Sequence, residues 1–183
     1  MADVKRQLLP RCPAREPVAV IGLEEFNHLP PDRAAGLLGS CCPARRWIEA
    51  VRAGRPYPGI DALLAGSDAA VAALGEADLR QALDGHPRIG DRPAEGSASS
   101  REQAGVTGAD AGLRRALAEG NARYEARFGH IYLVCATGRS AGELLGLLRE
   151  RLGNDEEAEW RVVAAELAKI NQIRLRGLIG TGP

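Results

Sequence analysis

Apolar residues recur at intervals of three and four along most of the chain, the spacing that places them on one face of an α-helix. Proline, serine and aspartate are common in the first turn of helices, and a glycine such as Gly85 is typical of a helix end. The pattern therefore predicts a series of helices, one of them running without a break from Ser67 to Leu83. The predicted helices begin near Pro31, Cys42, Ser67, Asp110, Ser140 and Asn154.

Two segments contain the pattern Ser-x-x-Glu, in which the serine caps the first helical turn and the glutamate bonds back to it. They are Ser99–Glu102 and Ser140–Glu143, and each is predicted to begin a helix. Between them lies Ile131–Cys135, an apolar run that could form one short extended segment but has no obvious partner strand. The local patterns thus describe short and medium helices with one extended interruption.

The chain has 183 residues, a length that a single hydrophobic core can serve. No internal repeat and no second domain is visible in the sequence. Residues 1–20 are polar and contain several prolines, and they are predicted to form a flexible arm. Residues 21–179 are predicted to form a single-domain, all-α bundle of short and medium helices.

Composition and charge narrow the range of partners. The formal net charge is zero, which argues against a nucleic-acid surface, and no apolar run is long enough to cross a membrane. Lys5 and Lys169 are the only lysines, so arginine is the expected anion binder. The four cysteines form no CxxC pair and have no zinc-site spacing with a histidine, so we expect reduced, buried thiols in a cytoplasmic protein. They are Cys12, Cys41, Cys42 and Cys135.

The segment 85–90, Gly-His-Pro-Arg-Ile-Gly, carries the main candidate for chemistry. Pro87 keeps His86 out of helical geometry at the end of a predicted helix. An imidazole with an ordinary pKa near 6.5 suits proton transfer at neutral pH. The alternative is an ordinary helix-end histidine whose charge complements the helix dipole.

Glu102 could pair with His86 around a small cleft, although a capping role alone would explain it. Ser99 could offer a helix N-terminus to an anion or a carbonyl, and Gln103 adds an amide. Arg174 is either a solvated residue or the arginine that binds a substrate carboxylate. Two loop arginines are rivals for that role, Arg55 and Arg139.

Two other classes of protein stay open at this point. The first is a non-catalytic helical interaction module, in which both Ser-x-x-Glu patterns are only caps; a buried cleft that joins His86 and Glu102 would argue against it. The second is a metal-dependent hydrolase that uses His86, Glu102 and Asp91, although no two histidines have the spacing of an HExxH site. Metal analysis of the purified protein would test it.

Several short motifs follow one another along most of the chain: Phe26-Asn27-x-Leu29, Cys41-Cys42 with Trp47, Arg55-Pro56-Tyr57, His86-Pro87-x-Ile89-Gly90, Ser99-x-x-Glu102-Gln103-x-Gly105, Asn121-x-x-Tyr124-x-x-Arg127-Phe128-Gly129, Gly138-Arg139-Ser140, Arg151-Leu152-x-Asn154 and Arg174-Leu175. No single motif is specific, but their order and spacing are. From about Leu23 to Leu178 the chain resembles the 2-oxo-4-hydroxy-4-carboxy-5-ureidoimidazoline (OHCU) decarboxylase family of urate breakdown.

The resemblance implies an all-helical homodimer that converts OHCU to (S)-allantoin and carbon dioxide in purine catabolism, with no metal and no organic cofactor. His86 and Glu102 match the family's catalytic histidine and carboxylate, which would handle protons together. Arg88 departs from the acidic residue that many members have after His-Pro. The positions that match substrate-binding groups are Pro87, Ser99, Gln103, Ile131, Leu133, Val134 and Arg174, with residues 131–134 acting through the main chain.

Overall fold

The computed structural model describes residues 20–91 and 97–180 of the chain. The all-α prediction is confirmed, since strands in these residues are limited to the pair β1 (Ile21–Gly22) and β2 (Ile179–Gly180). Among the described helices, none offers the continuous apolar length that crossing a bilayer demands. Residues 1–19 of the predicted arm lie outside the described residues. The helices are α1 (Leu23–His28), α2 (Pro31–Cys41), α3 (Arg45–Ala53), α4 (Ile60–Ala72), α5 (Glu76–Leu83), α6 (Ala98–Glu102), α7 (Ala104–Thr107), α8 (Ala111–Phe128), α9 (Ala141–Arg151) and α10 (Glu156–Leu178).

Several helix starts predicted from capping residues are confirmed. Pro31 occupies the first turn of α2, where its missing N–H leaves no helical hydrogen bond unmade. The side chains of Asp110 and Ser140 accept hydrogen bonds from the backbone N–H groups of Leu113 and Glu143 at the starts of α8 and α9. The Glu143 carboxylate also accepts from the Ser140 N–H, which completes the predicted capping box. These starts are determined by contacts within a single turn.

The continuous helix predicted from Ser67 to Leu83 is wrong, because α4 and α5 are separate helices. Ser67 does not cap a helix: it lies inside α4, fully buried, and its hydroxyl accepts a hydrogen bond from Trp47 Nε1 at 3.2 Å. The second helix has its own cap, since the Gly75 N–H donates to Asp78 Oδ2 at 3.2 Å. Apolar spacing alone did not reveal the short turn between the two helices.

The capping box predicted at Ser99–Glu102 is also wrong, because α6 begins earlier than the pattern indicates. Its N-cap is Ser97, whose hydroxyl accepts from the Ser100 N–H at 3.1 Å. Ser99 therefore lies within the helix, and Glu102 follows three residues later on the same face. The Glu102 carboxylate contacts Arg174 instead of the start of its own helix.

The core consists of two hydrophobic clusters that meet along residues 131–136, here called the extended segment. The first cluster is formed mainly by α1–α5 and α10, and the second by α8 and α9. Leu133 and Cys135 belong to the first cluster, whereas Tyr132, Val134 and Ala136 belong to the second. Side chains of an extended chain point alternately to opposite sides, so this segment lies between the two clusters and contributes to both. As predicted, it pairs with no strand among the described residues.

Candidate active site

A cavity lies where the end of α5, helix α6, the extended segment and α10 meet. Its free volume is about 290 Å³ including the space at its mouth, and about 20 Å³ of it is wide enough for the centre of a water molecule. Of the residues predicted for the site, Ile131 and Arg174 do not line it and all the others do. This shared cavity argues against the non-catalytic interaction module, in which the side chains at these positions would be exposed and separate. The lining residues are His86, Pro87, Ile89, Ser99, Glu102, Gln103, Tyr132, Leu133, Val134, Ala136 and Ile170.

Four of these lining residues, Ile89, Tyr132, Ala136 and Ile170, were not predicted. Ile89 and Tyr132 lie close in sequence to predicted site residues, and this proximity could have indicated that they line the cavity. Ile170 lies one turn before Arg174 on α10, and residues four apart share a helix face. These side chains are mainly apolar, so electrostatic interactions inside the cavity are stronger than they would be in water.

His86 is presented to the cavity by a sharp turn after α5. Gly85 packs so closely on Pro43 that a Cβ there would lie 2.9 Å from Pro43 Cγ. The His86 ring Nδ1 lies 3.0 Å from the Ala82 carbonyl oxygen. Because a carbonyl only accepts hydrogen bonds, Nδ1 carries the proton and Nε2 is the acceptor. His86 Nε2 is buried and has no hydrogen-bond partner among the described residues.

The ring of His86 is uncharged at neutral pH. Burial, and after it the positive charge of Arg174, lowers the pKa of His86 from 6.5 to about 4. A charged histidine that merely complements a helix dipole is therefore not present here. An uncharged imidazole with a free Nε2 can accept a proton, and an anion in the cavity would favour its charged form.

Glu102 is ion-paired with Arg174. The guanidinium donates from Nε to Oε1 at 2.7 Å and from Nη2 to Oε2 at 2.9 Å, which is the bidentate geometry. Arg174 also donates to the Cys41 carbonyl at 2.8 Å and to the Ser99 hydroxyl at 3.3 Å. The exposed fractions of the side chains are 12% for Glu102 and 7% for Arg174, so water screens the pair little. Arg174 is thus neither a solvated residue nor an open anion binder, because it stands behind Glu102 and Ser99.

Gln103 holds the loop that follows α5. Its Oε1 accepts from the Gly90 N–H at 3.0 Å, and its Nε2 donates to the Arg88 carbonyl at 3.1 Å. On the other side of the loop, Asn121 Nδ2 donates to the Ile89 carbonyl at 2.8 Å. Gly90 has a φ of 92°, a conformation that favours glycine. The loop backbone is therefore fixed between two amide side chains, which holds Ile89 against the cavity.

Arg88 and the two rival arginines lie elsewhere. The Arg88 guanidinium pairs with Glu125 of α8, with Nη2 2.8 Å from Oε2, and lines a second cleft on the far side of the loop. Arg55 donates to three backbone carbonyls, at 2.7 Å, 2.9 Å and 3.2 Å. Arg139 lies 3.6 Å from a carboxylate of α10. The departure at Arg88 therefore does not alter the lining of the cavity.

The three ligands proposed for a metal-dependent hydrolase do not come together. His86 and Glu102 line the first cavity, whereas Asp91 lines the second cleft. Across residues 20–91 and 97–180, no three histidine, cysteine, aspartate or glutamate side chains form a group that could hold a metal ion. The geometry of these residues gives the hydrolase hypothesis no support.

The extended segment brings main-chain groups to the cavity, and several are already hydrogen-bonded. The Ile131 carbonyl accepts from a histidine ring at 3.0 Å, and the Leu133 carbonyl accepts from an arginine of α9 at 2.6 Å. The Cys135 N–H donates to a glutamate of α10 at 2.8 Å. Val134 lies between them, and within the described part of the chain its N–H and C=O have no partner. A ligand can therefore bond to Val134 without displacing a contact of the fold.

An all-helical domain with an uncharged buried histidine and an ion-paired carboxylate in one cavity has the features of an acid–base enzyme. Comparison with known proteins gives the family. The sequence profile of OHCU decarboxylase matches residues 27–176, a range that includes the whole cavity lining, and the chain belongs to that family.

Individual relatives agree with this assignment. The 2-oxo-4-hydroxy-4-carboxy-5-ureidoimidazoline decarboxylase of Amia calva is 33% identical over 136 residues, which are 71% of this chain and 78% of that protein. The uric acid degradation bifunctional protein of Arabidopsis thaliana is 30% identical over 146 residues, 75% of this chain, and this chain spans 45% of its length. A crystal structure of an OHCU decarboxylase in the presence of (S)-allantoin superposes with a TM-score of 0.66 at 26% identity, covering 76% of this chain and 94% of that one.

Proposed function

We propose that this protein decarboxylates OHCU to (S)-allantoin and carbon dioxide in urate catabolism, without a metal or an organic cofactor. The observation that carries the proposal is the uncharged His86, whose free Nε2 lies in one cavity with a carboxylate. Membership of the OHCU decarboxylase family and the activity named for the Amia calva relative supply the substrate class.

The substrate can act as its own electron sink, so the reaction needs no cofactor. The ring carbon with the carboxylate and hydroxyl adjoins the C=N carbon that bears the ureido group. When the bond to carbon dioxide breaks, its electron pair forms a C=C bond between these carbons, and the C=N pair moves to nitrogen, which takes a proton. The resulting enol loses its hydroxyl proton and gains a proton at the ureido carbon. One proton is consumed overall, and the product is allantoin, in which the former hydroxyl carbon is a ring amide carbonyl.

The uncharged His86 suits the second part of this sequence. Its Nε2 accepts the hydroxyl proton and delivers a proton to one face of the ureido carbon, which makes a single enantiomer. The negative charge of the bound substrate raises the pKa of His86 and offsets the effect of burial. A positioned acid–base group typically contributes roughly 10²–10⁴-fold to the rate.

Glu102 acts with His86 through its charge. Arg174 fixes the direction of the carboxylate, so that it repels the substrate carboxylate and favours its departure as neutral carbon dioxide. Four of the five N–H groups of Arg174 are engaged, to Glu102, Ser99 and the Cys41 carbonyl. Arg174 therefore acts on the substrate through Glu102 and Ser99, which it holds in place at the cavity wall.

The other predicted residues would hold the ring. Ser99 of α6 and Gln103, the residue directly after α6, offer polar contacts, and Pro87 offers an apolar wall. Among main-chain groups we favour those of Val134, because the carbonyls of Ile131 and Leu133 already accept hydrogen bonds. Leu133 then contributes contact area, and Ile131 acts through the conformation of the segment.

The assignment is tested by making OHCU in situ from urate with the upstream enzymes and following the circular dichroism of the allantoin formed. The wild-type protein should produce optical activity well above the uncatalysed background. His86→Ala should lower turnover by about 10²–10⁴-fold while retaining cooperative unfolding. Optical activity at the background rate with folded wild-type protein would exclude the proposed function.

His28 provides a matched control for His86. Its Nδ1 also bonds to a carbonyl four residues earlier, that of Glu24, at 2.8 Å, but His28 is exposed and does not line the cavity. His28→Ala should therefore leave turnover unchanged. Similar losses in the two variants would show that the activity change at His86 comes from loss of a helix-end contact.

We also propose that the protein is a cytoplasmic homodimer. The free, buried thiols of Cys41, Cys42 and Cys135 support a reducing compartment, whereas Cys12 lies outside the described residues. The family resemblance supports the homodimer. Light scattering during size-exclusion chromatography measures the mass directly, and a value near the chain mass of 19.4 kDa would contradict the homodimer.

A further inference from the structure

A buried polar cluster formed by residues of α8, α9 and α10 contacts the extended segment. Arg151 donates from Nε to Glu159 Oε1 at 2.8 Å, and its Nη2 bonds to the same oxygen and to the Tyr124 hydroxyl. The Tyr124 hydroxyl also donates to Glu159, and Asn154 Nδ2 donates to Glu159 Oε2 at 2.7 Å. The exposed fractions of the ion-paired side chains are 7% for Arg151 and 0% for Glu159. None of these residues touches the cavity.

The cluster contacts the extended segment at two residues that line the cavity, and the first is Tyr132, whose ring centroid lies 4.8 Å from Arg151 Cζ. Arg151 Nη1 donates to the Leu133 main-chain carbonyl at 2.6 Å, and Leu133 lines the cavity. Two residues further on, the Cys135 N–H donates to Glu166 Oε2 at 2.8 Å. In an extended chain the N–H and C=O of one residue point the same way, and those of the next residue point to the opposite side. Bonds at Leu133 and Cys135 therefore turn the main-chain groups of Val134 away from the cluster.

We propose that Arg151 is a positioning residue, which sets the orientation of the extended segment and thereby places the substrate ring relative to His86. The inference rests on the proposed function, in which Val134 contacts the ring. Rotation of the segment would change both the position of the ring and the face that His86 meets. A displacement of about 1 Å in such a site can cost on the order of 10²-fold in rate.

Arg151→Lys separates this role from charge pairing. A lysine ammonium can still pair with Glu159, but it lacks the planar fork that reaches Glu159, Tyr124 and the Leu133 carbonyl together. We expect kcat/KM to fall on the order of 10²-fold, with a rise in KM. The enantiomeric excess of the allantoin should also fall when it is extrapolated to high enzyme concentration, where spontaneous racemic product is negligible.

Ser67→Ala is the matched control. It removes another buried hydrogen bond, from Trp47 Nε1, and Ser67 neither lines the cavity nor is hydrogen-bonded to the extended segment in the described residues. A merely structural loss reduces the fraction of folded enzyme and so lowers apparent kcat, but it leaves KM and the extrapolated enantiomeric excess unchanged. We expect that pattern for Ser67→Ala. The same pattern in Arg151→Lys would overturn the proposal.

Two further measurements keep the proposal open to refutation. If Arg151→Lys does not fold, Tyr124→Phe replaces it as the test. This variant keeps the arginine but removes the hydroxyl that is hydrogen-bonded to Arg151 and Glu159. KM and enantiomeric excess should change in the same direction as expected for Arg151→Lys, but to a smaller extent. Amide hydrogen exchange of residues 131–136 needs no substrate. It should be faster in Arg151→Lys than in Ser67→Ala, and equal exchange would overturn the inference even if the wild-type protein proved inactive on OHCU. If the wild-type protein is inactive on OHCU but exchange is faster in Arg151→Lys than in Ser67→Ala, the proposed function is refuted and the role of Arg151 in holding the extended segment is not.

Discussion

The segments Ser99–Glu102 and Ser140–Glu143 share the pattern Ser-x-x-Glu, but their side chains make different contacts. At α9, the Ser140 hydroxyl accepts from the Glu143 N–H at 3.3 Å, and Glu143 Oε2 accepts from the Ser140 N–H at 2.8 Å. At α6, both side chains of the pattern bond to Arg174. Ser140–Glu143 begins a helix, whereas Ser99–Glu102 is part of the cavity wall.

The difference has two physical causes. Ser97 caps α6, which frees Ser99 from that task and leaves it on one helix face with Glu102. That face meets Arg174, a residue 72 positions away in sequence, whose buried charge requires a counter-ion. A capping pattern therefore predicts a cap where the helix start is exposed, as at α9. Where a buried cation is near, the carboxylate is more stable paired with it.

The largest contrast between the two segments is expected from Glu102→Ala and Glu143→Ala. Loss of Glu102 leaves the Arg174 charge buried without its partner, so the free energy of unfolding should fall by about 3–5 kcal/mol. Turnover should fall to the background. Glu143 is fully exposed, and its loss removes one half of a cap, so stability should fall much less and turnover should not change. Urea unfolding and the circular dichroism assay measure both quantities.

Glu102→Gln refines this comparison, because the amide keeps the shape of the side chain and one acceptor oxygen. It should be more stable than Glu102→Ala but equally inactive, since the proposed role depends on charge. Full activity in folded Glu102→Gln would remove Glu102 from the mechanism and leave it a purely structural partner of Arg174.

A second contrast is the pH at which each region loses stability. Because burial lowers the pKa of His86 to about 4 from 6.5, the unfolded chain binds a proton between these values that the folded chain does not. The contribution of His86 is therefore complete above pH 6.5 and is lost as the pH falls towards 4, by about 3 kcal/mol in total. The Ser140 hydroxyl and N–H lower the pKa of Glu143, so its contribution is present above 4.5 and is lost at lower pH.

His86→Asn isolates the first of these windows. The difference in unfolding free energy between wild type and His86→Asn should grow by about 3 kcal/mol from pH 4 to pH 7. Glu143→Gln should show a pH-independent difference from wild type over the same range above 4.5. A His86→Asn difference that does not change with pH would mean that the ring titrates as it does in the unfolded chain.

Local signals in the sequence were sufficient for much of the fold. Pro31, Asp110 and Ser140 each begin a helix through contacts within one turn, and these starts were predicted correctly. The parallel pairing of Ile21 with Ile179 was not predicted, because two residues show no periodicity and their partners lie at opposite ends of the domain. The break between α4 and α5 was missed because apolar spacing continues across it.

In the candidate site, too, some features could be predicted from the sequence and others could not. His86, Pro87 and Glu102 stand out in the sequence by residue type and order, and the structure brings all three to one cavity. The bidentate contact of Glu102 with Arg174, and the hold of Arg151 on the Leu133 carbonyl, join residues far apart in the chain. Such contacts depend on how helices pack, so no local pattern could reveal them.

The smallest contrast concerns the serines. Ser140→Ala and Ser97→Ala should each lower the free energy of unfolding by about 1 kcal/mol, because each removes an N-cap hydrogen bond. Ser99→Ala should change stability less, since Ser99 is not a cap, but should raise KM about twofold to tenfold through loss of one hydrogen bond to substrate. Thermal unfolding and initial rates distinguish these outcomes. If KM is unchanged in Ser99→Ala and the stability loss equals that of Ser97→Ala, Ser99 acts as a helix cap and not as a substrate contact. Glu102 would then be the only residue whose role differs between the two Ser-x-x-Glu segments.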